Sequence, residues 1–271
     1  MRYGYDPGCF RPIGGGPCDE TVPAVARALG LLLEEVDEPG ERAAGSLAMS
    51  GIAAYARVAR LLALTARRLA GPAPALVSPC GDCYRTLFRA AQSLREHPDL
   101  CGKVAEELAA EGLAFDPAAV TVRHLLDVLH EDAGLPAIRA RVTQPLRGLR
   151  VAAYTGCLAR ADGEPGAGAT RLEELLGALG ADVVDFPLRE HCCGGRAAEL
   201  SPEVATSLQH RILRCAAGRK VDVLAAVCPR CRGNLEAGQE PANRRYGSAL
   251  AVPVRHFADL LADAFGIGVR S

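Results

Sequence analysis

The sequence predicts an α/β fold built from two homologous Rossmann-like parallel-sheet domains that arose by internal duplication. Three observations carry this expectation: cysteines that repeat at a constant offset, matching segments in matching order, and short β-prone runs alternating with helical ones. Tyr5-Asp-Pro-Gly-Cys9 is echoed by Tyr154-Thr-Gly-Cys157, and Pro79-Cys80-Gly-Asp-Cys83 by Ala226-Val-Cys228-Pro-Arg-Cys231. Cys9 and Cys157 are 148 positions apart, and so are Cys80 and Cys228. Val25-Ala-Arg-Ala-Leu-Gly30 is matched by Leu175-Leu-Gly-Ala-Leu-Gly180, and Val122-Arg-His124-Leu-Leu-Asp127 by Val254-Arg-His256-Phe-Ala-Asp259. A period as long as a whole domain marks duplication, not a solenoid. The expected domains are 1–142 and 143–271, with the joint between Pro136 and Pro145.

In the first copy, strands are expected near Arg2 to Tyr5, Leu31 to Val36 and Ala75 to Ser78. The second copy shows the full alternation. Leu149 to Tyr154 is β-prone, Ala169 to Leu179 has helical spacing, and Ala181 to Phe186 is again strand-like. Val204 to Ala217 reads as helix, Val221 to Val227 as a buried strand, and a polar helix follows Cys231. Ala251 to Val254 then leads into a helix over Phe257 to Phe265. This βαβαβαβα order favours a parallel sheet, because parallel strands need crossover helices of about this length. Open sheets of this kind bind ligands at the carboxyl ends of their strands. Each CxxC follows the third strand of its copy, and Cys9 or Cys157 follows the first, so distant thiols become neighbours at that edge.

Of 271 residues, 49% are hydrophobic and 23% charged, and the net charge is -1. That balance leaves no basic footprint for nucleic acid and no polybasic membrane patch. The opening MRYGYDPGCF has no apolar signal-peptide core, and the apolar stretch from Ile52 to Ala70 is broken by Arg57, Arg60, Arg67 and Arg68. A cytoplasmic protein without membrane insertion is expected. Eleven cysteines in a reducing compartment point to metal or redox chemistry rather than structural disulfides.

The complete set in the second copy is Cys157-x34-Cys192-Cys193-x34-Cys228-x2-Cys231. Structural zinc is closed by four ligands, so a fifth cysteine would be surplus. Adjacent Cys192 and Cys193 suit a site with several metal positions, and iron-sulfur clusters are held by thiolates. Zinc, a metal-free dithiol at Cys228 and Cys231, and ordinary buried cysteines are the competing readings. Gly194 and Gly195 give the loop its conformational freedom.

The order Cys157, Cys192-Cys193-Gly194, Cys228-Pro-Arg-Cys231 resembles the cysteine-rich CCG signature of the B-type subunit of heterodisulfide reductase. The opening Tyr-x-Pro-Gly-Cys9, the Arg-His-Leu-Leu-Asp127 segment and the closing Arg-His256-Phe-Ala-Asp-Leu-Leu261 extend the resemblance over nearly the whole chain. It implies a noncubane 4Fe-4S cluster on Cys157, Cys192, Cys193, Cys228 and Cys231, on which a disulfide is split or formed. It also implies iron-sulfur and flavin partner subunits of a heterodisulfide-reductase-like complex, with a disulfide, thiol or carrier-bound sulfur as substrate. A sulfur-oxidising branch of such complexes is one expectation. The first copy departs from the pattern, since Ala43-Ala44-Gly45 stands where Cys-Cys-Gly is expected. Cys9, Cys80 and Cys83 remain there, and Cys18 is the candidate fourth ligand for a second iron-sulfur cluster or zinc.

Other residues are assigned plainer roles. Cys101 and Cys215 are expected in the core. His191 is a candidate beside the cluster, His124 and His256 are expected to cap or pack at strand-to-helix junctions, and Arg196 and Arg230 are placed to offset thiolate charge. Gly14 to Gly16 lack the spacing of a phosphate loop. Two other functions compete with sulfur redox catalysis: a subunit that only relays electrons, and the iron-sulfur subunit of a hydroxy-acid dehydrogenase. The latter usually carries an added ferredoxin-like segment, which this sequence lacks.

Overall fold

Short apolar runs make the strands and longer amphipathic ones the helices, in the order the sequence predicts. The computed structural model describes residues 1–10, 18–36, 51–71, 73–160 and 167–268. In the first half, β1 (Arg2–Tyr5), α1 (Cys18–Ala28), β2 (Leu32–Glu35), α2 (Ile52–Leu69) and β3 (Ala75–Ser78) are followed by α3 (Gly81–Glu96), α4 (Pro98–Ala110), β4 (Thr121–His124) and α5 (Leu125–Asp127). A π-helical stretch, Val128–Gly134, leads into α6 (Leu135–Arg141). The second half runs β5 (Arg150–Tyr154), α7 (Ala167–Ala178), β6 (Asp182–Val183), α8 (Pro202–Gly218), β7 (Val223–Ala226), α9 (Pro229–Ala237), α10 (Gln239–Tyr246), β8 (Val254–His256) and α11 (Phe257–Phe265).

Each half holds a four-stranded, all-parallel sheet, ordered β2-β1-β3-β4 in one and β6-β5-β7-β8 in the other. The first and third strands of each half lie at the centre, and β3 and β7 are buried along their whole length, as expected for a sheet covered on both faces. Strand β6 is shorter than its sequence suggests. It sits at the sheet edge with Asp182 and Val183 exposed, and Pro187 follows the run.

The halves share one hydrophobic core. Tyr3, Val22, Leu126 and Leu129 join Leu172, Leu176, Phe257 and Leu260 in a single buried cluster. Helix α1 packs against α11, and α6 against α7. The arrangement is reciprocal near the strand ends: α3 packs on the turn Gly156–Arg160, and α9 on the turn Gly8–Phe10. Gly81 approaches Leu158 so closely that a Cβ there would lie 3.3 Å from the Leu158 Cβ. The carboxyl ends of the two sheets therefore face each other.

His124 and His256 are the N-caps of α5 and α11, as the sequence reading expects. Their Nδ1 atoms accept the amide hydrogens of Leu126 at 3.1 Å and Ala258 at 3.2 Å. His256 Nε2 lies 3.2 Å from the Pro79 carbonyl of the other half, so the cap also ties the two sheets together. Among the described residues, no helix is long and apolar enough to cross a membrane.

Candidate metal centre

The backbone positions the thiols in two repeated ways. Gly8 and Gly156, directly before Cys9 and Cys157, take φ of 51° and 57°, a left-handed turn that swings each cysteine off the end of the first strand. A Cβ on Gly8 would come within 2.6 Å of Cys83 Sγ, so this turn also needs the missing side chain. The two CxxC motifs do not precede their helices, as expected from sequence, but begin them. Cys80 and Cys228 are the N-caps of α3 and α9, and Cys83 and Cys231 lie in the first turn. Free amides and the positive helix end there favour thiolate.

The structure brings the sulfurs of both halves together. Cys9 Sγ lies 3.5 Å from Cys83 Sγ, Cys193 Sγ 3.4 Å from Cys231 Sγ, and Cys80 Sγ 3.6 Å from Cys228 Sγ across the interface. Sequence reading expects two separate edges, one per domain; the facing sheets make a continuous sulfur-rich region instead. Cys80, Cys83, Cys193, Cys228 and Cys231 are buried, Cys9 and Cys157 are half-buried, and Cys192 is exposed.

Burial and mutual hydrogen bonding split the thiols into acids and acceptors. Cys9 is pulled down to about 4 by the Cys80 and Cys83 thiols, and Cys193 to about 4 by those of Cys192 and Cys231. Cys228 is lowered by the Cys231 and Cys80 thiols, with further help from the amides of Cys231 and Asp82. Burial pushes Cys80 and Cys157 up.

The two sets differ in how they fit a metal. The Sγ atoms of Cys9, Cys80 and Cys83 all lie within 4.8 Å of one another. The sulfurs around one tetrahedral zinc stand about 3.8 Å apart, so three of the four ligands of a single ion fit here. Among the described residues no other three such side chains converge so tightly. The five cysteines of the second half are more spread, a donor set suited to a group larger than one ion.

Several residues hold the Cys192-Cys193 loop. Gly194 takes φ 81° and passes 3.0 Å, measured from an added Cβ, from Ala205 Cα of α8. The Tyr154 hydroxyl donates to the His191 carbonyl at 2.6 Å, and Asn234 Nδ2 donates to the Cys193 carbonyl at 2.7 Å. Asp82, buried between the two cysteines of the first CxxC, accepts from Arg196 Nε at 3.0 Å and faces Arg230 Nη1 at 3.8 Å. Sequence reading missed Asp82, Tyr154 and Asn234. Only Asp82 carried a signal, an acid inside a metal-ligand spacing; the other two act through contacts between distant segments.

The His191 side chain is exposed and lines a small surface hollow with Cys192, Leu188 and Arg211. Cys101 and Cys215 are half-buried on α4 and α8, and Cys215 packs against a buried core cluster of the second half. The Cys18 side chain lies outside the described residues, as do Gly14 to Gly16 and Ala43-Ala44-Gly45.

Residues 151–236, from β5 through nearly all of α9, match the family described as CCG, a cysteine-rich domain. The matched residues lie within the second half and include Cys157, Cys192, Cys193, Cys228 and Cys231. The chain is 30% identical to the B-type subunit of the ferredoxin/F(420)H(2)-dependent CoB-CoM heterodisulfide reductase of Methanosarcina acetivorans, over 70% of this chain and 65% of that one. It is 29% identical to the corresponding subunit of the ferredoxin:CoB-CoM heterodisulfide reductase of Methanosarcina mazei over the same shares. It is a homologue of the B-type subunit of heterodisulfide reductase that spans just under two thirds of the length of these relatives. The 8-methylmenaquinol:fumarate reductase membrane anchor subunit of Wolinella succinogenes is 28% identical over 99% of this chain and 94% of its own. A crystal structure of a hypothetical protein from Helicobacter pylori superposes with a TM-score of 0.73 at 13% identity, covering 98% of this chain and 49% of that one, and so shares its fold.

Proposed function

We propose that this chain is an iron-sulfur subunit that carries out disulfide–thiol redox chemistry at a noncubane 4Fe-4S cluster held by Cys157, Cys192, Cys193, Cys228 and Cys231. The observation that carries this reading is the set of five cysteines, Cys157 just after β5, Cys192 and Cys193 on a loop, and Cys228 and Cys231 at the start of α9, within the residues that match the cysteine-rich CCG family. Bound there, the cluster supplies single electrons and an iron position that can accept sulfur. The chain's own residues keep the thiolates desolvated at α9, hold the Cys192-Cys193 loop through Tyr154 and Asn234, and leave Cys192 facing solvent. The overall reaction consumes two electrons and two protons per disulfide and releases two thiols, or runs in reverse. The electrons enter or leave through partner subunits, iron-sulfur and flavin proteins of a multi-subunit complex. Cys9, Cys80 and Cys83, with Cys18, form a second site for zinc or another iron-sulfur cluster.

A second reading has its own support. The near full-length match to a fumarate reductase subunit favours a role in relaying electrons without acting on sulfur. Anaerobic purification with iron, sulfide and zinc analysis, followed by EPR of the oxidised protein with and without added thiol, separates the two. Iron and acid-labile sulfide with a thiol-dependent spectrum support sulfur chemistry. A cluster indifferent to thiol supports the relay, and zinc without sulfide overturns both.

A further inference from the structure

The repeat puts Asp82 and Arg230 at matching places, 148 positions apart and each inside the CxxC of its half, as Cys80 and Cys228 are. Where the two carboxyl edges face each other, residues related in this way meet their own counterparts. Cys80 Sγ reaches Cys228 Sγ at 3.6 Å, and Asp82 Oδ2 faces Arg230 Nη1 at 3.8 Å. Like charges at that point would repel. The two copies carry opposite ones.

With its other oxygen Asp82 accepts from Arg196 Nε at 3.0 Å, so one carboxylate of the first half holds two arginines of the second. These arginines belong to the segments that carry four of the five cysteines: Arg196 follows Cys193 by three residues, and Arg230 is next to Cys231. Tyr154 and Asn234 fasten the loop only at His191 and Cys193. Beyond Gly194, among the described residues, the side chains of 195–201 make two polar links to the rest of the chain, Arg196 to Asp82 and Glu199 to Arg230 Nη2 at 3.4 Å. Both lead to Asp82. That carboxylate lies in the first turn of α3 and is 7% exposed, whereas the Arg196 side chain is 43% exposed. Removing Arg196 strands a buried anion, and removing the carboxylate frees both arginines and the segments they belong to.

We infer that Asp82 is a positioning residue through which the first half holds the Cys192-Cys193 loop and the start of α9 in place around the second-half cluster. This rests on the cluster reading above. In the test, the iron-loaded full chain meets an iron chelator, and the decay of the EPR signal of the oxidised cluster is timed. Asp82→Asn keeps the shape of the side chain and removes its charge, and it should speed the decay about tenfold. Arg196→Gln should also speed it, and Arg196→Lys, which keeps the charge, should restore part of the slow rate. The variant with both Asp82→Asn and Arg196→Gln should decay no faster than Asp82→Asn alone, because both changes cut one contact. Arg196→Gln alters a solvent-exposed side chain, so it gives the answer even where Asp82→Asn fails to fold. An unchanged rate in either single variant, or effects that multiply in the double one, overturns the inference and leaves the cluster reading in place. A natural chain that binds no iron removes the cluster reading, and this inference with it.

Discussion

At the end of β1, Gly8 turns through a left-handed φ and presents Cys9; at the end of β5, Gly156 does the same for Cys157. Cys80 caps α3 as Cys228 caps α9. The halves differ after the second strand, where the second has Cys192-Cys193-Gly194 and the first has Ala43-Ala44-Gly45. The shared elements are those that strand ends and helix starts dictate, and each half's turn also packs on the other half's helix. Losing either turn damages both halves. The cysteine pair rides on a loop of one half only, outside the reciprocal packing of turns on helices. What persists in the first half is thus what the second half leans on, including the Asp82 amide at Cys228 and the Pro79 carbonyl at His256.

The largest expected effect tests whether the two sulfur sets are separable. Cys193→Ala should abolish the cluster signal of the second half, whereas Cys83→Ala should leave that signal and remove only metal bound at Cys9 and Cys80. Iron, sulfide and zinc per chain, read with EPR, give the answer. If Cys83→Ala erases both, the 3.6 Å approach of Cys80 to Cys228 reflects one shared site. Next in size is the loop itself. Gly194→Ala forces a left-handed φ and crowds Ala205, at a cost of about 1–3 kcal/mol, while Gly195→Ala meets only ordinary contacts and should cost far less. Thermal melting of the two variants, with iron retention, checks this difference.

A smaller effect comes from pH. Burial, then the nearby His124, holds His256 down to about 3, so the folded chain keeps it neutral and its Nδ1 free to cap α11. The unfolded chain takes up that proton near 6.5. Between about 6.5 and about 3 the unfolded state binds more protons, and stability falls as pH falls, by at most about 1.4 kcal/mol per pH unit. His256→Asn, which caps without titrating, should flatten the fall in urea midpoint between pH 7 and pH 5.5. An unchanged slope would assign the acid sensitivity elsewhere.

Much of this architecture is legible in the sequence because its signals are local or periodic. The strands at Arg2–Tyr5 and Ala75–Ser78, the helix at Phe257–Phe265 and the paired histidine caps follow from short runs and from matching segments in matching order. The parallel sheets follow from alternation, and alternation also places the cysteines at the carboxyl edges. How the two edges meet is not written in either half. The contact of Cys80 with Cys228 and the clamp of Asp82 on Arg196 depend on packing between halves, which no repeat within one half encodes. Tyr154 and Asn234 are equally silent in sequence, since a tyrosine at a strand end and an asparagine on a helix are ordinary until the loop they hold is in place.

The finest test uses the tyrosines that end the first strand of each half. Tyr154 donates its hydroxyl to the His191 carbonyl and so fastens the start of the cysteine loop. Tyr154→Phe keeps the buried ring and removes only that donor, which costs about 1 kcal/mol. Melting should barely register so small a loss, but the loop it loosens carries Cys192 and Cys193, so iron should leave the second half faster in the presence of a chelator. Tyr5, buried at the matching position, is followed by no cysteine pair, and Tyr5→Phe should leave the rate of iron release from the second half near that of the natural chain. Equal acceleration by both variants would mean that the two strand ends brace one common site, and the division of labour between the halves would have to be given up.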